Sequence, residues 1–467
     1  MGILRLAVRV HSTFGLGGNM TLVRFGVLLG SAVTALLVGA PQPRAETLSD
    51  TVKAAVAMNP RIKSAVHNRR SIDSEVRRAR SLYLPQIDLR AGAGPEYSEN
   101  ADTINNNRRH IRQELSAILA QRLYDGGEAD AEVDRQLGRS ESAADRVRET
   151  SEFTALDAIE AHLDVVRLRR ILALAEDNVN VHRRLTDRVR QRSGGGAGRA
   201  ADLSQVLSRL EQATSSLEET RGLLREAEAS YKAVVGTVPP TLEDGQIPVA
   251  ALPVDFDASL KIAQEKNPTV NIRAADIKAA RAEVDAANSR YMPKINFEVS
   301  GNHDRNVNGF QGRDNEARAL IVLRWNLYAG GGDVANKEAA VGRLGQAKSV
   351  RDEALWTTER ELSRAWASYQ TAQTRAAVLT SSVRHNVEVR DAYDQQFQIS
   401  QRSLLDLLDS ENELFTSQTR LITDQETAVF ASYRFLAVDG LLLSTLGVEP
   451  PAEADATRMA PKPVMEK

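Results

Sequence analysis

The chain has 467 residues, with 60 basic against 62 acidic side chains, 5% aromatics and no cysteine. Interspersed charges that nearly cancel leave no basic patch for nucleic acid, and the absence of cysteine excludes thiolate metal sites and thiol catalysis. A chain rich in Ala, Leu, Glu, Arg and Gln reads as mainly helical.

Residues 1–19 read as unstructured, and Met20 offers a second start. Arg24 then precedes an apolar run from Phe25 to Ala40, followed by Pro41-Gln42-Pro43-Arg44-Ala45. A basic flank, an apolar core and a small residue before Glu46 describe an export signal over 1–45, although Pro43 is a poor residue so close to the join. The run is shorter than the ~20 residues of a spanning helix. No cysteine stands at the join to carry a lipid. No other stretch is apolar enough to span as a helix, so any entry into a membrane is expected to be by strands.

Thr47 to Met58 reads as a short amphipathic helix stopped by Asn59-Pro60. Asn caps and Pro starts the next helix, which runs to about Tyr83. After Pro85 the period falls from 3.6 to 2: Ile87, Leu89, Ala91 and Ala93 alternate with Gln86, Asp88 and Arg90. A polar loop from Glu96 to Arg109 follows, and then a return with Leu115, Ala117 and Leu119 on one parity. Strands are expected at about 86–97 and 110–123, the length of a tilted transmembrane strand. Leu123-Tyr124-Asp125-Gly126-Gly127 ends the second strand and opens a helical hairpin over 126–236, broken at Ser193–Gly198. From Glu128 to Arg192 that helix spans roughly 95 Å at 1.5 Å per residue. Leu203, Leu210, Leu217, Leu224 and Tyr231 recur every seven residues, with Val206, Ala213, Thr220, Ala227 and Val234 three after each, a coiled-coil seam.

A Pro-rich link over 239–256 closes this first repeat, 46–238, and the order begins again over 257–447. Asn267-Pro268 and Tyr291-Met292-Pro293 return. Strands are expected at about 294–304 and 316–327, with Ile295, Phe297, Val299, Ala317, Ala319, Ile321 and Leu323 on one parity. Ile118 and Val322 fall on the polar parity. Leu327-Tyr328-x-Gly330-Gly331 opens a second hairpin, 330–446, in which Asp202, Leu203, Leu210 and Gly236 reappear as Asp406, Leu407, Leu414 and Gly440, an offset of 204. One long hairpin has been duplicated. The tail, 448–467, with four prolines, reads as disordered.

Four strands cannot close a barrel, and open edges in lipid leave backbone groups unsatisfied at several kcal/mol each. If these strands enter a membrane, several chains must share one barrel. The histidines are scattered, Glu160 and His162 match no catalytic signature, and no phosphate loop, nucleophile elbow or metal cluster is present. No enzyme activity, cofactor or metal is expected. Gly126, Gly127, Gly330 and Gly331 read as strand-to-helix junctions.

The export signal, the duplication, the Asn-Pro pairs, Trp325-x-Leu327-Tyr328-x-Gly330-Gly331 and the run Arg402-Ser403-Leu404-Leu405-Asp406-Leu407-Leu408-Asp409 together resemble the TolC family of outer-membrane efflux and type I secretion channels. The similarity covers about residues 47–447. It implies a fold that is mainly α with membrane β: a homotrimer with a shared twelve-stranded transmembrane barrel in outer-membrane lipid, continuous with a trimeric α-helical barrel across the periplasm. It implies docking to a periplasmic adaptor (membrane fusion protein) and an inner-membrane ABC or proton-driven transporter, with passive conduction by this chain. By the same resemblance Asp406 and Asp409, on one helix face, match aspartates at the periplasmic constriction, where a ring of like charges favours cation binding. Asp202 and Arg402 match positions that link neighbouring helix pairs as a gate. Phe397 stands where the family often has a tyrosine, and Ser193–Gly198 departs from its more apolar tip turn. The alternative is a periplasmic coiled-coil adaptor or scaffold in which 86–123 and 294–327 are soluble hairpins.

Overall fold

The computed structural model describes residues 45–99, 109–194 and 200–458, without the side chains of 194 and 200. The export signal with its alternative start, most of the loop between Glu96 and Arg109, the glycine-rich break at 195–199 and residues 459–467 lie outside the described residues.

Each repeat follows the same course. In the first, α1 (Leu48–Met58) and α2 (Pro60–Arg80) lead through a 3-10 turn to β1 (Gln86–Tyr97) and β2 (Arg109–Tyr124), then α3 (Glu128–Gly194) and α4 (Ala200–Val235). In the second, α5 (Phe256–Lys266) and α6 (Pro268–Ser289) precede β3 (Lys294–Arg305), β4 (Arg313–Arg324), α7 (Gly332–Gln398) and α8 (Leu404–Val438), with a last turn α9 (Leu442–Thr445). At 67 residues each, α3 and α7 run about 100 Å.

The Asn-Pro pairs do two jobs. Asn59 Oδ1 accepts from Arg61 N at 2.9 Å, and its amide donates to Val234 O at 3.1 Å. Asn267 accepts from Val270 N at 3.2 Å and donates to Val438 O at 2.8 Å. Each asparagine thus caps a short helix and satisfies a carbonyl left open at the C-terminal end of the long helix that closes the same repeat, α4 or α8. The ends of α4 and α2 meet in this way, as do those of α8 and α6. Consequently α3 packs on α2 and α6 toward the sheet and on α4 and α8 away from it.

The four strands form one antiparallel sheet in the order β1-β2-β3-β4. Its register sets Ile87 and Leu89 beside Leu119 and Ala117, Leu119 beside Val299, and Val299 and Phe297 beside Ala319 and Ile321. One face is therefore continuously apolar. The other carries Asp88, Arg90, Ser116, Glu298, Ser300, Arg318 and Arg324, with Ile118 opposite Asp88 and Val322 opposite Asn296. Ile87, Leu89 and Ile321 are 71%, 74% and 72% exposed, so nothing among the described residues covers the apolar face.

Two expectations are corrected. The last strand, expected at about 316–327, ends at Arg324, because its partner β3 begins at Lys294 and Pro293 has no N–H to extend the ladder. Trp325 instead donates through Nε1 to Tyr291 O at 3.1 Å. The tail, expected to be disordered from 448, is held along α2 as far as Arg458. Arg70 donates to Glu453 at 2.9 and 2.7 Å, and Arg69, buried beside Asp73, donates to Arg458 O at 3.0 Å. A proline-rich composition does not register such partners, which α2 supplies from far away in the chain.

Two buried carboxyls lie near the end of α8. Asp439 accepts Ser259 Oγ on both oxygens at 2.8 Å, and Glu152 accepts the Leu443 N–H at 3.2 Å. Burial pushes Asp439 up from 3.8 to about 7 and Glu152 up from 4.5 to about 7. A folded pKa above the unfolded one gives stability that is full below the unfolded value and is lost as pH rises through about 7. Thermal melts are therefore expected to shift downward between about pH 5 and pH 8, and Asp439→Asn with Glu152→Gln is expected to flatten that slope. A slope unchanged in the double variant would assign the dependence to other groups.

Candidate functional site

The site expected to carry function is the end of the hairpins far from the sheet. A small core of Val181, Leu185, Val189, Val206, Phe397, Leu404, Leu407 and Leu408 joins α3, α4, α7 and α8 there. The turn from α7 into α8 places Ser400 at φ 64 and returns Gln401 N to Gln396 O at 2.9 Å, closing the last turn of α7. Ser403 then caps α8 by accepting from Asp406 N at 3.2 Å.

Because Leu407 and Leu408 point into the core, Asp406 and Asp409 point out of it and remain open to solvent. Each finds an arginine. Arg402, in the turn just before α8, lies 3.8 Å from Asp406, and Arg209 of α4 lies 2.9 Å from Asp409 of α8. The Arg402 guanidinium also stacks 4.0 Å above the Tyr393 ring. Asp202, half-buried in the first turn of α4, forms no ion pair among the described residues. The Asp202–Arg402 link is thus not made within this subunit, since Tyr393 and Asp406 hold the arginine.

Sequence reasoning missed the arginines that fasten α3 to α7. Arg192 donates to Phe397 O at 3.2 Å and Gln398 O at 3.1 Å, with its guanidinium 4.5 Å above the Phe397 ring. Arg188 reaches Asp394 at 2.8 Å. A cation on the exposed carbonyls of a helix end is favourable. The only sequence signal is the density of arginine from Arg183 to Arg192. Arg209 had no signal, because its duplicate position is Glu413.

At the other end, Gly126, Gly127, Gly330 and Gly331 all have left-handed φ, 71, 87, 63 and 82, where the chain turns from strand into helix. Asp125 caps α3 from Gly127 N at 3.0 Å and Ala129 N at 2.8 Å. Ala329 occupies that place in the second repeat and cannot do so. His162 is structural: its ring nitrogens meet Thr51 Oγ1 at 2.8 Å and Glu243 O at 2.9 Å, and burial lowers its pKa. Among the described residues no cluster is suited to a metal, and no helix is long and apolar enough to cross a membrane.

The family model described as "Outer membrane efflux protein" matches residues 51–237 and 260–440, one block for each repeat. The chain is 26% identical over 399 residues to the outer membrane efflux protein BepC of Brucella suis biovar 1, covering 85% of each. It is 22% identical over 429 residues to the outer membrane protein TolC of Escherichia coli K12, covering 86% of this chain and 83% of that one. The crystal structure of the outer membrane protein VceC from Vibrio cholerae superposes with a TM-score of 0.73 at 16% identity, over 86% of this chain and 96% of that one.

Proposed function

The chain belongs to the outer membrane efflux protein family, and from that membership we propose that three copies pool their sheets into one twelve-stranded barrel above a common helical tunnel. The protein is an outer-membrane efflux channel that extends into the periplasm, and it is not an enzyme. Substrate enters at the hairpin tips from an inner-membrane ABC or proton-driven transporter, through a periplasmic adaptor, and the channel conducts it passively. Residues 1–45 direct export and are removed.

The observation that carries this reading is the sheet: an uncovered apolar face, a polar face behind it, and two edge strands without partners among the described residues. In lipid such edges must be paired, and identical subunits supply the pairing. Retention in the outer-membrane fraction with heat-modifiable migration is the expected result on fractionation. Release into soluble periplasm would leave the scaffold reading instead.

Asp406 and Asp409 line the constriction in this reading, and Arg402 and Arg209 balance their charge. That balance supports a narrow entrance that is only a weak cation trap. In planar-bilayer recordings Asp406→Ala with Asp409→Ala is expected to weaken block by lanthanum(III). Arg209→Gln is expected to strengthen it by about tenfold, since each Asp409 loses a counter-charge in near contact. Arg209→Lys, which keeps the charge, is expected to behave as the parent. Block unchanged in the double alanine variant would remove both aspartates from the pore lining.

A further inference from the structure

The two faces of the sheet treat arginine differently. On the polar face Arg112 pairs with Glu96 and Glu114, Arg318 with Glu316, and Arg324 with Glu298. Among the described residues the permanent charges on the apolar face are Arg109, Arg305 and Arg313. No acid joins them there, because alternation sends Asp304, Asp314 and Glu316 to the opposite face. In a chain with 60 basic and 62 acidic residues, this face is purely cationic. Its cations all lie at the end of the strands away from the long helices.

Arg305 of β3 and Arg313 of β4 stand directly opposite each other, with Gln113 of β2 on the far side of Arg305. Both arginines are exposed, and neither has an ion pair among the described residues. Like charges in directly opposed positions of an antiparallel pair destabilise it. The end of this hairpin is nonetheless firmly closed. Asn306 N donates to Gly312 O at 2.9 Å, and Gly312 N donates to Asn306 Oδ1 at 3.0 Å. The Asn306 amide also donates to Ile111 O at 3.1 Å, which ties the hairpin to β2. Two guanidinium groups are therefore held side by side on a fixed frame, where a single phosphate can accept from both.

Height along the strand identifies the source of that phosphate. From Ile295 to Arg305, β3 advances about 34 Å along its own axis, which is roughly 26 Å along the membrane normal at a barrel strand's tilt. The apolar band of such a barrel is about 25 Å tall. The arginine pair thus clears the hydrocarbon and stands among the headgroups. Because the long helices extend into the periplasm, this end of the sheet belongs to the leaflet that faces the cell exterior. Tyr97, with the Arg109 guanidinium 6.0 Å from its ring, supplies an interfacial aromatic at the same end. We propose that Arg305 and Arg313 clamp a phosphate of a phosphorylated lipid headgroup in the outer leaflet, with Gln113 as a further donor and Arg109 adding positive charge. The bound anion relieves the repulsion between the two arginines and fixes the depth of the sheet. This inference rests on the barrel reading above and adds a lipid site to it.

The test titrates full-length protein, purified in detergent and stripped of lipid, with bis-phosphorylated lipid A and reads the adducts by native mass spectrometry. The parent is expected to bind, and Arg305→Gln with Arg313→Gln is expected to weaken binding by about thirtyfold. Arg305→Lys with Arg313→Lys, which keeps the charge, is expected to retain most of it, and Arg318→Gln on the opposite face to bind as the parent does. A second measure needs no variant: the parent is expected to prefer this lipid to its dephosphorylated form by a similar factor. Equal affinity for the two lipids, or equal affinity in the parent and the double glutamine variant, would overturn the clamp. Displacement of the lipid by an equal concentration of inorganic phosphate would also overturn it, leaving an anion site indifferent to lipid. If the clamp fails while the parent stays in the outer-membrane fraction, the barrel reading survives. Release of the parent into soluble periplasm would overturn both together.

Discussion

Arginine in place of Val299 is expected to keep the protein out of the outer membrane. Val299 lies near the middle of the twelve-residue β3, beside Leu119 on one strand and Ala319 on the other, on the uncovered apolar face. A charged side chain at the midplane of a barrel's lipid face costs about 2–4 kcal/mol, and each subunit of the proposed trimer contributes one. Asn302→Arg is the control. It points to the opposite face, between Ser116 and Glu316, where a cation gains a partner and meets water instead of lipid. Immunoblots of fractionated cells read the contrast. Normal amounts of Val299→Arg in the outer membrane, with Asn302→Arg lost, would mean that the two faces of the sheet are reversed.

Alanine at Gly126 is expected to be far worse than alanine at Gly330, although the two occupy the same motif. Both adopt a left-handed φ, which costs an ordinary residue roughly 1–2 kcal/mol. Only Gly126 is also crowded within its chain, by Met292 Cβ at 2.3 Å and Ser289 O at 3.0 Å, and forcing a methyl into packed surroundings adds about 1–3 kcal/mol. Gly126→Ala should therefore reduce the yield of folded, protease-resistant subunit. Gly330→Ala should cost the subunit little beyond the left-handed φ, because a Cβ on Gly330 would meet nothing within 4 Å. Equal losses of folded subunit would show that the crowding at Gly126 is relieved without cost.

The contrast between the two glycines marks what one sequence can say. Its alternation, its Asn-Pro punctuation, its glycine junctions and its repeat were legible because each rests on short-range chemistry: a parity, a cap, a fixed φ. Those local rules determined the order of the elements, the apolar face of the sheet and the length of the helices. The site was less legible. Asp406 and Asp409 could be put on one helix face from their spacing, but Arg209 belongs to another helix 200 residues away in the chain, and no periodicity announces such a partner. Arg402 was assigned to Asp202 by resemblance, whereas Tyr393 and Asp406 hold it in the folded subunit. Glu453 meets Arg70 across 383 residues, which turns a stretch of disordered composition into an ordered strap. The sequence by itself determined the elements and their repetition. Only the tertiary structure decided which charges meet, because an ion pair depends on a few ångströms of separation that helix packing sets and local spacing does not encode.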